Sequence, residues 1–181
     1  MTDRAHYEPG PANLATVEKT NAEKWALIVS KDLRHSPQVV WNALTDPSQL
    51  REWAPFDADG ALDKPGATVT FQWAGTPTGF ETTVKRAESP HILEYASPDM
   101  DLRWKLEPIP GGTRLTLWTN IDRNYISMGA AGWHIAFDVL ERLLDGTPIS
   151  RISGNDAFAF AGWQRLNAEY ATQWGIKPPT W

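Results

Sequence analysis

The chain of 181 residues carries 17 basic and 22 acidic residues, a net charge of −5 at pH 7, and its length suits one domain with a substantial core. The charges are spread without a basic stripe, which excludes a nucleic-acid-binding protein that uses clustered positive charge to displace counterions from phosphate. Cysteine is absent, so a disulfide framework, a thiol nucleophile and a cysteine-ligated zinc site are excluded as well.

Polar residues dominate the start of the chain, where Pro9, Gly10 and Pro11 interrupt them. This composition predicts an N-terminal arm, residues 1–22, that has little core of its own and is either disordered or laid over a sheet edge. No run in the chain approaches the ~18 apolar residues of a membrane span, and the start has no signal-peptide core. We therefore expect a cytoplasmic protein in which residues 23–181 form a single domain.

A first strand is predicted from Lys24, because apolar residues alternate with variable ones from there onward. Ser36 and Pro37 then have the N-cap and first-position chemistry of a short helix. Asp46 and Pro47 repeat this chemistry for a second short helix. Two short helices are therefore predicted directly after the first strand.

An antiparallel meander is predicted between about Val69 and Ile121. Short runs in this region alternate apolar and polar residues, as strands with one buried face do. Turn-rich segments at 75–79 and 110–112 separate the runs. Such tight turns imply antiparallel pairing, because parallel neighbours would need long crossovers.

An amphipathic helix is predicted over 130–144, because apolar side chains such as Trp133 and Phe137 recur at helical spacing. The meander is the only sizeable apolar partner before it, so we expect this helix to close over the inner face of a curved sheet. A last helix is predicted over about 155–175, where Gly175 ends the helical periodicity.

Two parts of the chain resemble a known family. The sequence VVWNALTDPSQLREW at 39–53 looks like the paired-helix signature of the Aha-type branch, named for the activator of the Hsp-ninety ATPase. The segments GTRLTLWTN at 112–120 and AAGWHIAFDVLERLL at 130–144 are similar to its last strand and helix. The order of elements over about 25–144 resembles the wider START-related, birch-pollen-allergen-like helix-grip superfamily, often labelled SRPBCC.

The resemblance implies an α+β helix-grip fold. In that fold a curved antiparallel β-sheet wraps around a long C-terminal helix, with two short helices after the first strand and here an additional C-terminal helix. An internal apolar cavity is implied as well. The resemblance says little about function, since members include lipid carriers, polyketide cyclases and co-chaperone modules.

Aromatic residues are the main candidates for a binding site, since ten tryptophans are an excess in a chain of this length. Those on predicted inward faces either line the cavity and stack on a flat ligand, or fill the core. The candidate cavity-lining residues are Trp53, Phe71, Trp73, Phe80, Tyr95, Trp104, Leu117, Trp133 and Phe137.

One polar pair is a candidate for chemistry. His134 and Asp138 are four residues apart on the predicted helix, which places them along one flank with Arg142. One interpretation makes His134 a general base that Asp138 orients at the cavity mouth. The other, which we favour, is a solvent-exposed ladder ending in an ion pair between Asp138 and Arg142.

No other constellation in the sequence indicates catalysis or a cofactor. The four histidines are scattered, and HExxH, phosphate-binding glycine loops and the GxSxG elbow are absent. Glu81, Glu94 and Arg103 alternate with apolar neighbours and are predicted to face outward. We therefore assign no catalytic residue, expect no metal and no cofactor, and leave open whether the protein is an enzyme.

The resulting prediction is a protein that binds an apolar or aromatic small molecule in an internal cavity. The alternatives are a co-chaperone-like interaction module with a filled core and a polyketide cyclase-like or hydrolase-like enzyme that uses the same cavity. A void of about 300 Å³ or more would favour binding or catalysis, and a closed core with an exposed apolar patch would favour the module. A homodimer is also left open, with Trp41, Trp118 and Trp181 as candidates for an exposed patch.

Overall fold

The computed structural model describes residues 4–178, which fold around an eight-stranded antiparallel sheet. The strands are β1 (Ala15–Glu18), β2 (Lys24–Leu33), β3 (Phe56–Ala58), β4 (Thr68–Trp73), β5 (Gly79–Glu88), β6 (Ile92–Ser97), β7 (Met100–Ile109) and β8 (Gly112–Asp122). The helices are α1 (Pro37–Thr45), α2 (Pro47–Trp53), α3 (Ile126–Leu144), α4 (Asn155–Ala159) and α5 (Ala161–Trp174).

The strand order β1-β2-β8-β7-β6-β5-β4-β3 makes β3 to β8 a continuous meander, with β2 added beside β8. The two short helices follow β2, and the long helix α3 packs against β2 and β8. The predicted α+β helix-grip fold, with its curved sheet and long helix, is confirmed. None of the helices within residues 4–178 has the length and apolarity needed to cross a membrane.

The two short helices begin where their caps were predicted. The Ser36 hydroxyl and the Asp46 carboxylate each accept a backbone N–H of the first helical turn, the latter from Ser48 at 2.8 Å. Pro37 and Pro47 are the first residues of the two helices, where a missing N–H leaves no backbone donor unsatisfied. These local rules determine where α1 and α2 begin.

The core lies between the sheet and α3. The strand register places Val29 opposite Leu117, and Leu117 opposite Trp104. Leu93 continues this apolar row on β6, opposite Trp104. From α3, Phe137 stacks on Trp104 with ring centroids 6.0 Å apart. The alternation of apolar residues along the strands therefore supplies the surface that α3 covers.

Aromatic side chains continue the core toward the far end of the sheet. Phe56 of β3 stacks on Phe71 at 4.3 Å and meets Tyr95 and Trp133 edge to face, at 6.4 and 6.3 Å. The Trp104 indole N–H donates to the Tyr95 hydroxyl at 2.9 Å, so both buried polar groups are satisfied. The sequence did not predict β3, because three residues are too few to show alternation.

The N-terminal arm lies over the sheet edge, where β1 pairs with β2 in antiparallel fashion. The expectation that the arm has little core is wrong, because Tyr7, Ala12 and Ala15 are buried. The arm crosses α5, where the Glu169 carboxylate accepts the Ala12 N–H at 3.0 Å. Isolated apolar residues among polar ones have no periodicity, so this packing could not be predicted from the sequence.

Two predicted helix boundaries are wrong. α3 begins at Ile126 rather than at 130, because Ile126 and Ser127 are buried and the Ser127 hydroxyl donates to Asn167 on α5 at 2.8 Å. The predicted last helix is broken at Phe160 into α4 and α5. Phe160 has an extended backbone, and its ring stacks on Tyr7 at 5.8 Å. In both places a contact between distant segments decides the boundary.

The three candidates for an exposed tryptophan patch do not share a position. Trp41 is only 3% exposed, because α1 packs against β7 and β8, so its assignment to an exposed patch is wrong. Trp118 is partly buried beneath the guanidinium of Arg103, which lies 4.2 Å from its ring. Trp181 lies outside the described residues.

Candidate functional site

A cavity of about 430 Å³ opens between the N-terminal half of α3, the end of β8 and the segment that joins α3 to α5. We call it the α3 cavity. Four tryptophans from four different helices and strands line it, and these are Trp53, Trp73, Trp133 and Trp163. The indole N–H of Trp53 donates to the Ala43 carbonyl at 3.0 Å, which fixes this wall against α1.

Small residues on α3 create the space. Gly129, Gly132 and Ala136 line the cavity and recur at helical spacing, so one stripe of the helix has almost no side chain. A Cβ added at Gly132 would have no heavy atom closer than the Trp163 indole nitrogen, at 4.0 Å. A Cβ at Gly129 would lie 2.7 Å from the end of the Ile121 side chain. A side chain at position 132 would therefore fit, whereas one at position 129 would require the Ile121 side chain to move.

The mouth of the cavity is apolar and exposed. Tyr125 at the start of α3 and Phe158 on α4 both line it, and they are 47% and 42% exposed. Large apolar side chains are normally placed away from water, and those that stay exposed beside a cavity are typical of binding sites. Phe158 meets Trp163 edge to face at 5.0 Å, which links the mouth to the wall.

The charged lining residues described are Asp99 and Asp122, both acidic. The Asp122 carboxylate accepts the Asn124 N–H at 2.7 Å. The Asn120 amide oxygen accepts the Asp101 N–H at 3.0 Å, which holds the turn between β6 and β7 beside the end of β8. Among residues 4–178, no three His, Asp or Glu side chains come together as a metal site would require.

The predicted lining residues divide into two groups. Trp53, Trp73 and Trp133 line the α3 cavity, and Phe80 joins Trp73 in an adjoining cavity of about 370 Å³. Apart from Phe80, the predicted residues that do not line the α3 cavity are Phe71, Tyr95, Trp104, Leu117 and Phe137, all buried in the core. They lie where α3 rests directly on the sheet, whereas the cavity lies beyond that contact.

Several lining residues were not predicted as such from the sequence, among them Gly132, Tyr125, Phe158 and Trp163. A signal for part of this set was present, because glycines such as Gly129 and Gly132 inside a helical pattern lower its stability and so indicate a packing or functional reason. Trp163 lies within the predicted last helix, but nothing in the sequence indicates which element it contacts.

His134 is neither at the cavity mouth nor in solvent, so both interpretations of it are wrong. It is 2% exposed, and its Nδ1 lies 2.8 Å from the Tyr170 hydroxyl of α5. That hydroxyl also accepts the Leu14 N–H at 3.2 Å, so its own proton is available for Nδ1. Burial lowers the pKa of His134, and the nearby Asp138 carboxylate opposes only part of this effect.

The predicted ion pair between Asp138 and Arg142 is also wrong. The Asp138 carboxylate accepts hydrogen bonds from the Lys31 ammonium and the Tyr7 hydroxyl, both at 2.6 Å. Lys31 pairs in addition with Glu141 at 2.8 Å. Burial lowers the pKa of Lys31, but its hydrogen bonds to the two carboxylates outweigh burial and leave the pKa raised. Arg142 instead lies over the Tyr7 ring, 5.3 Å from its centroid.

These buried and partly buried polar residues form one cluster on the side of α3 away from the cavity. We call it the α3 clamp, and its members are Tyr7, Lys31, His134, Asp138, Glu141 and Tyr170. The cluster joins α3 to the N-terminal arm, to β2 and to α5. None of its members lines the α3 cavity, so the clamp holds the helix rather than a ligand.

Solved structures of several proteins share this fold. The conserved protein of unknown function EF2215 from Enterococcus faecalis superposes with a TM-score of 0.68 at 14% identity, over 89% of this chain and 90% of that one. CalU16 from Micromonospora echinospora gives 0.63 at 20% identity, over 89% and 94%. DynU16, a protein of the dynemicin biosynthetic locus, gives 0.62 at 21%, over 71% and 51%. At these identities the likeness shows the fold alone.

The family is shown by sequence. No curated protein matches the chain. Residues 34–145, more than half of the chain, match the family described as Activator of Hsp90 ATPase homolog 1-like protein. That range begins just before α1 and ends just after α3, so it contains both segments on which the predicted resemblance rested. The chain therefore belongs to the Activator of Hsp90 ATPase homolog 1-like family.

Proposed function

We propose that this chain binds an apolar or aromatic small molecule in the α3 cavity. The observation that carries the proposal is the wall of four indole rings around a space of about 430 Å³. Ligand sites in proteins commonly enclose about 300 to 1,000 Å³ and are lined mainly by apolar and aromatic side chains. The exposed rings of Tyr125 and Phe158 give such a ligand an apolar entrance.

The open cavity favours this proposal over an interaction module with a filled core. Its volume exceeds the threshold of about 300 Å³ at which we expected binding or catalysis. The ionisable lining residues described are Asp99, Asp122 and Tyr125. The polar pair first considered for acid–base chemistry, His134 with Asp138, lies on the other side of α3. Binding therefore has more support than catalysis.

A titration with naphthylmethanol, a neutral aromatic probe, tests the proposal. We expect saturable quenching of tryptophan fluorescence with a Kd on the order of 100 µM, given the free energy that a ligand of this size gains per atom. Gly132→Leu fills the cavity from α3 and should weaken binding by about tenfold or more, because the probe and the new side chain compete for the same space.

The matched control is Ala168→Leu, which adds a leucine at an exposed position of α5 and should leave binding unchanged. Thermal unfolding of each variant shows that it is folded. The proposal is overturned if the wild-type protein gives no saturable signal, or if folded Gly132→Leu binds the probe as the wild type does.

A further inference from the structure

The charge of the cavity lining points to a class of ligand, an inference that rests on the proposed function. Asp99 and Asp122 are its charged members, and none of the described lining residues is Lys, Arg or His. A negatively charged guest would therefore meet repulsion from two carboxylates without a cation to offset them.

Asp99 occupies the more informative position. It lies in the tight turn between β6 and β7 and lines both the α3 cavity and the adjoining cavity of about 370 Å³. Trp73 and Met100 line both cavities as well. Within residues 4–178, Asp99 takes part in no ion pair, so no basic side chain of this region neutralises it at contact distance.

Asp122 is less available to a ligand. Its carboxylate already caps the turn at Asn124 with a hydrogen bond of 2.7 Å. Lys24 lies opposite Asp122 in the ladder of β2 and β8, so its positive charge offsets part of the field even without an ion pair in the described region. Asp99 is therefore more available than Asp122 to bind a cationic group.

Asp99 and Trp73 line the same two cavities, and a carboxylate together with an indole ring around one space is the chemistry that recognises ammonium groups. The face of tryptophan attracts cations more strongly than the other aromatic side chains do, and a carboxylate adds a charge-assisted hydrogen bond. We propose that the α3 cavity selects ligands in which an aromatic or apolar body carries a cationic amine, with the body among the tryptophans and the amine between Asp99 and Trp73.

Three probes of nearly equal shape test the proposal by isothermal titration calorimetry at pH 7 and low ionic strength. They are naphthylmethylammonium, naphthylmethanol and naphthoate, which carry positive, zero and negative charge. We expect the cation to bind about tenfold more tightly than the alcohol, and the anion about tenfold more weakly, since each factor of ten corresponds to a modest electrostatic contribution. Added salt should shrink both differences.

Three variants show whether the preference is local. Asp99→Asn should reduce the preference for the cation about fivefold and leave the affinity for the alcohol unchanged, because only the charge is removed. Asp122→Asn should reduce it only about twofold, since Asp122 is partly neutralised. The matched control is Asp63→Asn, in the exposed loop between β3 and β4 and outside the cavity lining, which removes the same charge and should change nothing.

The outcomes separate the two proposals. Binding of all three probes with equal affinity would overturn the amine preference and leave the proposed function standing. A cation preference that Asp63→Asn reduces as much as Asp99→Asn would also overturn it, because the effect would then come from net charge. Failure of every probe to bind would overturn the proposed function and the amine preference together.

Discussion

The two faces of α3 use their side chains in opposite ways. Toward the cavity, Gly129, Gly132 and Ala136 leave a stripe of nearly bare backbone. On the other side His134, which is buried, and Asp138, which is partly buried, belong to the α3 clamp and are hydrogen-bonded to distant segments. A helix with an empty face gains little packing energy there, so its position must be fixed elsewhere.

The proposed ligand binding and the stability of the fold therefore depend on separate faces of one helix. Charge-assisted hydrogen bonds such as those of Asp138 form only in a narrow geometry. They therefore restrain both the rotation of α3 about its axis and its position along that axis. A helix held in this way keeps its glycine face open. We therefore expect most substitutions to affect either stability or ligand affinity, whereas substitutions of Trp133 and Gly132 should change both.

Trp133→Ala should have the largest effect and should change both properties. The Trp133 ring packs edge to face on Trp104 and Phe137 in the core, at 5.6 and 6.5 Å, and also lines the cavity. We expect a loss of about 3 to 5 kcal/mol in the free energy of unfolding, measured by urea denaturation, and loss of naphthylmethanol binding. A loss below about 1 kcal/mol would show that the ring borders open space and supports no core.

Lys31→Met should affect stability alone. The substitution leaves the partly buried Asp138 carboxylate without its ammonium partner. We expect a loss of about 2 kcal/mol, between the cost of breaking an exposed ion pair and that of breaking a fully buried one. Affinity for naphthylmethanol should stay within twofold, because Lys31 does not line the cavity. The control is Lys105→Met, whose 57% exposed side chain pairs with Glu107 and should cost less than about 1 kcal/mol. Equal losses in the two variants would contradict a clamp role.

Low pH should weaken the clamp through His134. Because burial lowers its pKa in the folded state, the unfolded chain binds the proton first, and stability falls as pH drops below about 6.5. The contribution is at most about 1.4 kcal/mol per pH unit. His134→Asn offers an oxygen in place of Nδ1 without a titrating group, so its unfolding free energy should lose less between pH 7 and pH 5. Parallel curves for the two proteins would contradict this assignment.

Gly132→Ala should have the smallest effect, with opposite signs on the two properties. Alanine in place of a helical glycine stabilises by about 0.5 to 1 kcal/mol, and the nearest atom leaves room for its Cβ. The methyl group occupies part of the cavity, so affinity for naphthylmethanol should fall a few-fold. Gly175→Ala is the control, since its left-handed backbone with φ +64° should make alanine destabilising. A destabilised Gly132→Ala would contradict an empty face.

Short-range rules made much of the fold predictable. The helix caps at Ser36 and Asp46 involve residues within one helical turn. The alternation of apolar and polar residues in the meander is a property of single strands. Both can therefore be predicted from the local sequence. Helical spacing likewise identified most of α3. The predicted family followed from two such segments, at 39–53 and 112–144, and the family match confirms it.

The site was less predictable, because it depends on contacts between distant residues. Asp138 accepts hydrogen bonds from Lys31 and Tyr7, which are 107 and 131 positions away in the sequence. No local sequence pattern predicts either partner. Spacing placed Trp104 and Trp133 on inward faces alike, yet only Trp133 borders the cavity. The position of α3 on the sheet depends on the contacts of the α3 clamp. These contacts join residues far apart in the sequence, so hydrophobic periodicity does not predict them.

The indole N–H signals of the tryptophans in a two-dimensional NMR spectrum test the binding site most directly. With saturating naphthylmethanol, the signals of Trp73, Trp133 and Trp163 should shift most, because these rings line the α3 cavity. Those of Trp25 and Trp118, outside the lining, should stay in place. Shifts confined to Trp25 and Trp118, or no shifts at all, would contradict a ligand site on the bare face of α3.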